Sequence, residues 1–353
     1  MTSRAYVWTW LPGESSPVVA GIVDTPPRGF RYGRSYLGNP AAIPIGPDLP
    51  LRDGPLLPVN PDFPIPGALL DALPDRWGQR VLELQLKVDE PSMHVCMLHA
   101  DSNRFGALDF PTSPVDYIHR GSRATLDELH TAAELIDKGK PLTPHLELAL
   151  RHGTSIGGAR PKAQLVNEVG DEWIAKFSST TDILPVVQAE AVALDLAKRS
   201  GMRAAQHELA QSLGKHVLLV KRFDRTPDGG RRHTVSMLTV LRLTEMTGRY
   251  ATYPEFLDEI GAHYSEELFR RVAFNIAIGN VDDHARNHAA FWDGAEFSLT
   301  PAYDLDPTAR GRGWDENQAI AFSRDGQRSS SLAELLNTSN DFYINRQAGK
   351  ANH

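Results

Sequence analysis

"NVDDHARNHAAFW", Asn280–Trp292, gathers two aspartates, two histidines, an arginine and two asparagines into one short stretch. An apolar helical pattern leads into it. There Ser265 reads as the N-cap, with Glu266 and Glu267 in the first turn, where carboxylates suit the positive dipole end. Leu268, Val272 and Ile276 share one face of that helix. A strand-like pattern follows. A polar stretch between helix and strand has three readings: a metal site, a phosphoryl-transfer loop, or a solvated turn.

The metal reading rests on His284 and His288, which would share a face on a helix, with Asp282 or Asp283 adding a ligand. It predicts a zinc-type hydrolase. Against it, the segment lacks a helical pattern and no cysteine is near. The phosphoryl-transfer reading rests on Asp282 and Asn287, which form D-x-x-x-x-N, the interval of the kinase catalytic loop. There the Asp orients a substrate hydroxyl and the Asn binds magnesium. A second metal-binding carboxylate must follow, and Asp304 in "LTPAYDLDP" sits at the end of the strand "EFSLT".

Upstream lie three further pieces. "TSIGGARPK", Thr154–Lys162, is glycine-rich, and Gly157 and Gly158 would let backbone N–H groups approach phosphate oxygens. It lacks Walker A spacing; a plain Gly-Gly turn is the competing reading. Lys176 in "EWIAKF" either snorkels at a strand edge or holds phosphates. Glu190 in the helix "PVVQAEAVALDLAKRSG" is either a surface residue or the partner of that lysine, as in kinases. Each signal is weak alone. Their order along the chain, ending in the D-x-x-x-x-N loop and Asp304, is the order an ATP-dependent kinase needs.

The rest of the chain supplies a scaffold. "AYVWTW" and "PVVAGIV", separated by "LPGESS", read as a hairpin. "PLLPVNPDFPIPG" reads as an ordered loop, and from Ala68 the pattern turns helical, "ALLDALPDRWGQRVLELQL". Thr125 and Glu128 form a capping box for "TLDELHTAAELIDKG". "AQLVNEV" and "EWIAKF" meet at Gly170-Asp171, a two-residue hairpin signal. "HVLLVKRF" is a buried-type strand. "DGGRRH", Asp228–His233, reads as a solvated hairpin tip.

With 353 residues and a net charge of −7, the chain has room for two lobes and no global bias toward nucleic acid. No apolar run is long enough to span a membrane, and the first residues do not read as a secretory signal. The single cysteine, Cys96, fits a reducing cytoplasm and a packing role.

Taken together, "LLDALPDRWGQRVL", "TSIGGARPKA", "EWIAKF", "LVKRFDR", "GNVDDHARNH" and "LTPAYDLDPT" resemble the HipA-like serine/threonine kinases, the toxin half of HipBA-type toxin–antitoxin modules. The resemblance implies an α/β (α+β) bilobed, protein-kinase-like fold using ATP and Mg²⁺. The N-terminal lobe would span residues 1–222, with a β-rich subdomain over about 1–120. A mostly helical C-terminal lobe would span 223–353. Asp282 would be catalytic, with Asn287 and Asp304 on the metal. Lys176 would meet the nucleotide phosphates, and the backbone around Lys221 and Phe223 the adenine. Ser155 matches the serine such kinases autophosphorylate; a dianion there opposes ATP phosphates. Family members pair with a helix-turn-helix antitoxin that binds operator DNA, and aminoacyl-tRNA synthetases are substrates in the family. Members also continue further past the metal-binding Asp than this chain, which ends at "NRQAGKANH". The resemblance therefore implies an incomplete C-terminal lobe. That leaves two expectations: a catalytic kinase, or a kinase-like subunit that binds an antitoxin or a second toxin chain.

Overall fold

The computed structural model describes residues 4–24, 29–121, 124–143, 145–147, 160–179, 181–307 and 317–345. Ser155, Gly157 and Gly158 lie outside the described residues. The chain divides into two compact units. The first holds residues 1–188, 206–235 and 292–295; the second holds 189–205, 236–291 and 296–353.

In the first unit, β1 (Arg4–Thr9) and β2 (Val18–Asp24) form the expected hairpin. With β3 (Gly29–Tyr32) and β4 (Leu108–Asp109) they make an antiparallel sheet of order β3-β2-β1-β4. Gly21 is required on β2, because a Cβ there would lie 2.1 Å from the Arg31 carbonyl oxygen. A short α1 (Arg34–Leu37) follows.

The helical pattern beginning near Ala68 is broken in two, α2 (Gly67–Asp71) and α3 (Arg76–Leu86). Pro74 explains the correction: it has no N–H to continue a helix and disfavours helical backbone before it. Asp75 then restarts the helix by accepting from Gly78 N at 2.7 Å. Next come α4 (Met93–His99) and α5 (Leu126–Asp137), the latter with the Thr125–Glu128 capping box in place.

A second antiparallel sheet, order β5-β6-β8-β7, contains β5 (Lys162–Val166), β6 (Glu172–Lys176), β7 (His207–Ser212) and β8 (Lys215–Lys221). The β5–β6 turn is longer than the expected two residues. Asn167 N donates to Asp171 O at 3.0 Å, leaving Glu168–Gly170 as the loop, with Gly170 at φ 91°. That is the three-residue hairpin with a left-handed last position. Trp77 and Val81 of α3, with Leu129 and Ile136 of α5, pack on Trp173 of this sheet and on Phe177, which follows β6. Burying each such side chain contributes about 1.5–3 kcal/mol.

"DGGRRH" is solvated at its tip and at Arg232, while Arg231 and His233 are buried. Arg231 stacks over the Trp10 ring at 3.6 Å and donates to the Ser102 carbonyl at 2.7 Å, while His233 reaches Thr9 Oγ1 at 3.0 Å. The planar guanidinium covers aromatic surface that a solvated tip would leave open.

Most of α6 (Val186–Arg199) belongs to the second unit. There too lie α7 (Met237–Val240), α8 (Tyr253–Ile260), α9 (Ser265–Ile278) and α10 (Leu332–Asn337). Strands β9 (Thr234–Ser236), β10 (Ala289–Trp292) and β11 (Phe297–Leu299) form a sheet of order β11-β10-β9. Ser265 is the first helical residue of α9 rather than its N-cap. A 3₁₀ turn, Ala262–Tyr264, precedes it, and its hydroxyl donates back to the Ala262 carbonyl at 2.5 Å.

Candidate active site

The Asn280–His288 loop begins with a sharp exit from α9. Gly279 adopts φ 75°, its N–H donates to Ile276 O, and Asn280 N donates to Asn275 O at 2.9 Å. These paired bonds form a helix-terminating motif that wants glycine at the left-handed position. Asn280 Nδ2 also donates to Asn275 Oδ1 at 3.2 Å.

The loop then folds back on itself. His284 N donates to Asp282 O, and Asn287 N donates to His284 O, both at 2.8 Å. Asn287 Nδ2 reaches the Asp282 carbonyl at 3.3 Å. The D-x-x-x-x-N interval thus brings its two ends together, with the Asp282 side chain exposed. His284 and His288 do not share a helical face, because Ala285–Asn287 is a single 3₁₀ turn flanked by extended residues. Among the described residues, no group of three or more His, Cys, Asp or Glu side chains is disposed to hold a metal ion.

Asp283 points the other way, into a buried polar network. Asn275 Nδ2 donates to Asp283 Oδ2 at 2.6 Å, and the Tyr253 hydroxyl donates to the same oxygen. His288 Nε2 stands 2.9 and 3.0 Å from the two Asp283 oxygens and 3.0 Å from the Tyr253 hydroxyl. An ionised carboxylate only accepts, so Nε2 carries the proton. Burial alone would raise the Asp283 pKa. His288 beside it, with hydrogen bonds from His288 and Tyr253, holds it below the usual carboxylate range instead. Burial and then Asp283 push the Tyr253 hydroxyl well above its ordinary value. Sequence reasoning missed Tyr253 and Asn275 here and read His288 only as a candidate metal ligand. The available signal was that Asp283 and His288 repeat the Asp282–Asn287 interval one residue on.

Asp304 lies beyond its expected strand, which ends at Leu299. Thr300 Oγ1 donates to Ala289 O at 2.9 Å, and Ala302 N donates to Arg203 O at 2.7 Å. The Tyr303 hydroxyl then donates to Arg286 O at 2.8 Å. The residue before Asp304 is thereby tied to the residue before Asn287. Asp304 itself has φ 57°, a conformation Asp adopts more readily than most residues.

Of the nucleotide-site candidates, Lys176 lies on β6 opposite Lys162 and Leu218. Lys162 is itself buried, with Nζ 2.9 Å from Asp75. Glu190 is a buried residue of α6, in the second unit. Lys221 donates its N–H to Gln206 O at 2.8 Å and its ammonium pairs with Asp171 at 2.7 Å. Phe223 is half-buried, between two buried residues. These are Arg222 and Asp224, which pair at 2.6 Å, while Asp224 Oδ2 accepts from Gly106 N at 2.7 Å. Burial would raise the Asp224 pKa, but Arg222 and Arg225 hold it far below its ordinary value. The "KRFDR" segment is therefore an anchored structural element of the first unit.

Comparison with known proteins identifies the class. The model of the HipA-like C-terminal domain matches residues 154–352. The chain belongs to the HipA-like family. It is 27% identical over 315 residues to Y4mE of Sinorhizobium fredii, covering 78% of this chain and 71% of that protein. It is 25% identical over 182 residues to Y4dM of the same organism, covering 44% and 42% of the two chains. Both are named as candidate kinases. HipA of Shewanella oneidensis MR-1, solved with HipB and its operator DNA, shares the fold with a TM-score of 0.72 at 17% identity. That match covers 97% of this chain and 85% of HipA. The mixed α/β, kinase-related fold read from the sequence is borne out.

Proposed function

We propose that this chain is an ATP-dependent serine/threonine protein kinase. The observation that carries the reading is the contact of Asn287 with the Asp282 backbone, which sets an exposed carboxylate beside an amide at the kinase interval. Asp282 orients the attacking hydroxyl. Asn287 spends its amide N–H on Asp282, which leaves Oδ1 as its ligand atom. With the Asp304 carboxylate this gives hard oxygen donors, the chemistry that suits Mg²⁺. Bound Mg²⁺ neutralises phosphate charge, and the chain's contribution is positioning and electrostatics.

Lys176 steadies the nucleotide phosphates. Gly157 and Gly158 cover the phosphates. The N–H groups of Lys221 and Arg222 are engaged with Gln206 and Glu172, so adenine recognition in this stretch falls to carbonyl groups and Phe223. Ser155 is the autophosphorylation site. HipA of Shewanella oneidensis, in complex with HipB and operator DNA, supports a HipB-like helix-turn-helix antitoxin as partner, with operator DNA reached through it. The family resemblance points to a protein substrate such as an aminoacyl-tRNA synthetase.

The test is intact-protein mass after incubation with ATP and Mg²⁺, beside Asp282→Asn and Ser155→Ala. One added phosphate on the parent and on neither variant is expected. Phosphate on Ser155→Ala would move the modification site. No phosphate on initially unmodified parent would overturn catalysis and favour a kinase-like binding subunit.

A further inference from the structure

We infer that the buried Asp283–His288 pair is the positioning device that sets the separation of Asp282 and Asn287; this rests on reading those two residues as hydroxyl-orienting and metal-binding groups. Asp283 follows Asp282 and His288 follows Asn287. The buried pair therefore spans the same interval as the functional pair, one residue on. Its contacts of 2.9 and 3.0 Å close the base of the loop while the functional side chains occupy the neighbouring positions.

The pair is itself held from two helices. Tyr253 begins α8 and Asn275 lies in the last turn of α9, and both donate to Asp283 Oδ2. All four residues are at most 3% exposed. From the far side, His288 O accepts from Met237 N at 2.8 Å, fixing the backbone next to Asn287. Rotation of Asp282 relative to Asn287 thus requires breaking a buried, charge-assisted contact, which is costly when a carboxylate is left unpaired. Partners of this kind behind metal ligands commonly control affinity and rate.

The experiment titrates Mn²⁺, read by electron paramagnetic resonance, into protein saturated with a non-hydrolysable ATP analogue, and measures phosphoryl transfer in parallel. The variants are Asp283→Ala, His288→Ala, His288→Gln and Tyr253→Phe. The two alanine variants should each weaken Mn²⁺ binding and lower kcat by about 10- to 100-fold, with KM for ATP little changed. His288→Gln, whose amide can donate to Asp283, should recover most of the loss. Tyr253→Phe, which leaves the loop contact in place, should lose thermal stability with a smaller effect on metal affinity.

Parent-like Mn²⁺ affinity in both alanine variants, with only their melting temperatures lowered, overturns the inference. So does an equal loss in Tyr253→Phe and His288→Ala. A parent that binds Mn²⁺ with nucleotide but transfers no phosphate overturns the kinase reading alone, and the metal readout still decides the positioning role. A parent that binds no Mn²⁺ with nucleotide overturns both.

Discussion

The Tyr303 hydroxyl donates to the Arg286 carbonyl at 2.8 Å. One side chain thereby ties the segment carrying Asp304 to the loop carrying Asn287, although the two are separated by two strands. Tyr303→Phe removes that bond and keeps the ring. The expected stability cost is about 1 kcal/mol, the net worth of one hydrogen bond. On the proposed reading of Asn287 and Asp304 as metal ligands, the expected loss of phosphoryl transfer is larger, about 10- to 100-fold, because a small misplacement of a reacting-site group is amplified in rate. Thermal melts and initial rates on the same samples check this. Equal, small effects on both would remove the link.

The Asp75–Lys162 pair has a second role in stability. Asp75 caps α3 through Gly78 N and pairs with the buried Lys162 ammonium at 2.9 Å. Asp75→Asn keeps a cap and removes this carboxylate partner of the buried ammonium, which should cost about 3–5 kcal/mol. Asp75→Asn with Lys162→Met should recover part of that loss, since no charge remains buried. Denaturant unfolding of the single and double variants distinguishes a charge effect from a packing effect.

His233 predicts a pH dependence. Burial lowers its pKa to about 4, opposed by hydrogen bonds with the Trp10 and Ile45 backbone. In the unfolded chain the same ring protonates near 6.5. Between these values only the unfolded state takes up the proton, so stability rises with pH through that window. The full contribution is present above about pH 6.5 and is lost as pH falls toward about 4, up to roughly 3 kcal/mol. His233→Gln should flatten the stability profile between those limits by about that amount. An unchanged slope in the variant would reject the assignment.

Cys96 should be inert in the folded protein. It packs with Leu82 and Ala100, and burial pushes its thiol up to about 11. Since the thiolate is the reactive species, a chromogenic disulfide reagent at pH 8 should find no thiol in the native state. One equivalent should appear after denaturation. Rapid native reaction would show that the α3–α4 region opens readily.

The sequence by itself determined the parts whose physics is local. Thr125 and Glu128 satisfy each other's neighbouring N–H groups within one turn, so their capping box was legible in the sequence and stands in the structure. The β1–β2 hairpin was legible from alternation and turn residues, and the kinase interval from Asp282 to Asn287. Local signals misled where a neighbour outweighed them: Pro74 broke an otherwise periodic helix, and a preceding 3₁₀ turn moved Ser265 inside α9. Tertiary structure alone decided which of two adjacent aspartates faces solvent. Asp282 and Asp283 are the same residue type with the same local context. His288 together with the donors brought from α8 and α9, Tyr253 and Asn275, makes it favourable for Asp283 to be buried as a charged group, and that choice leaves Asp282 exposed, where the proposed chemistry needs it.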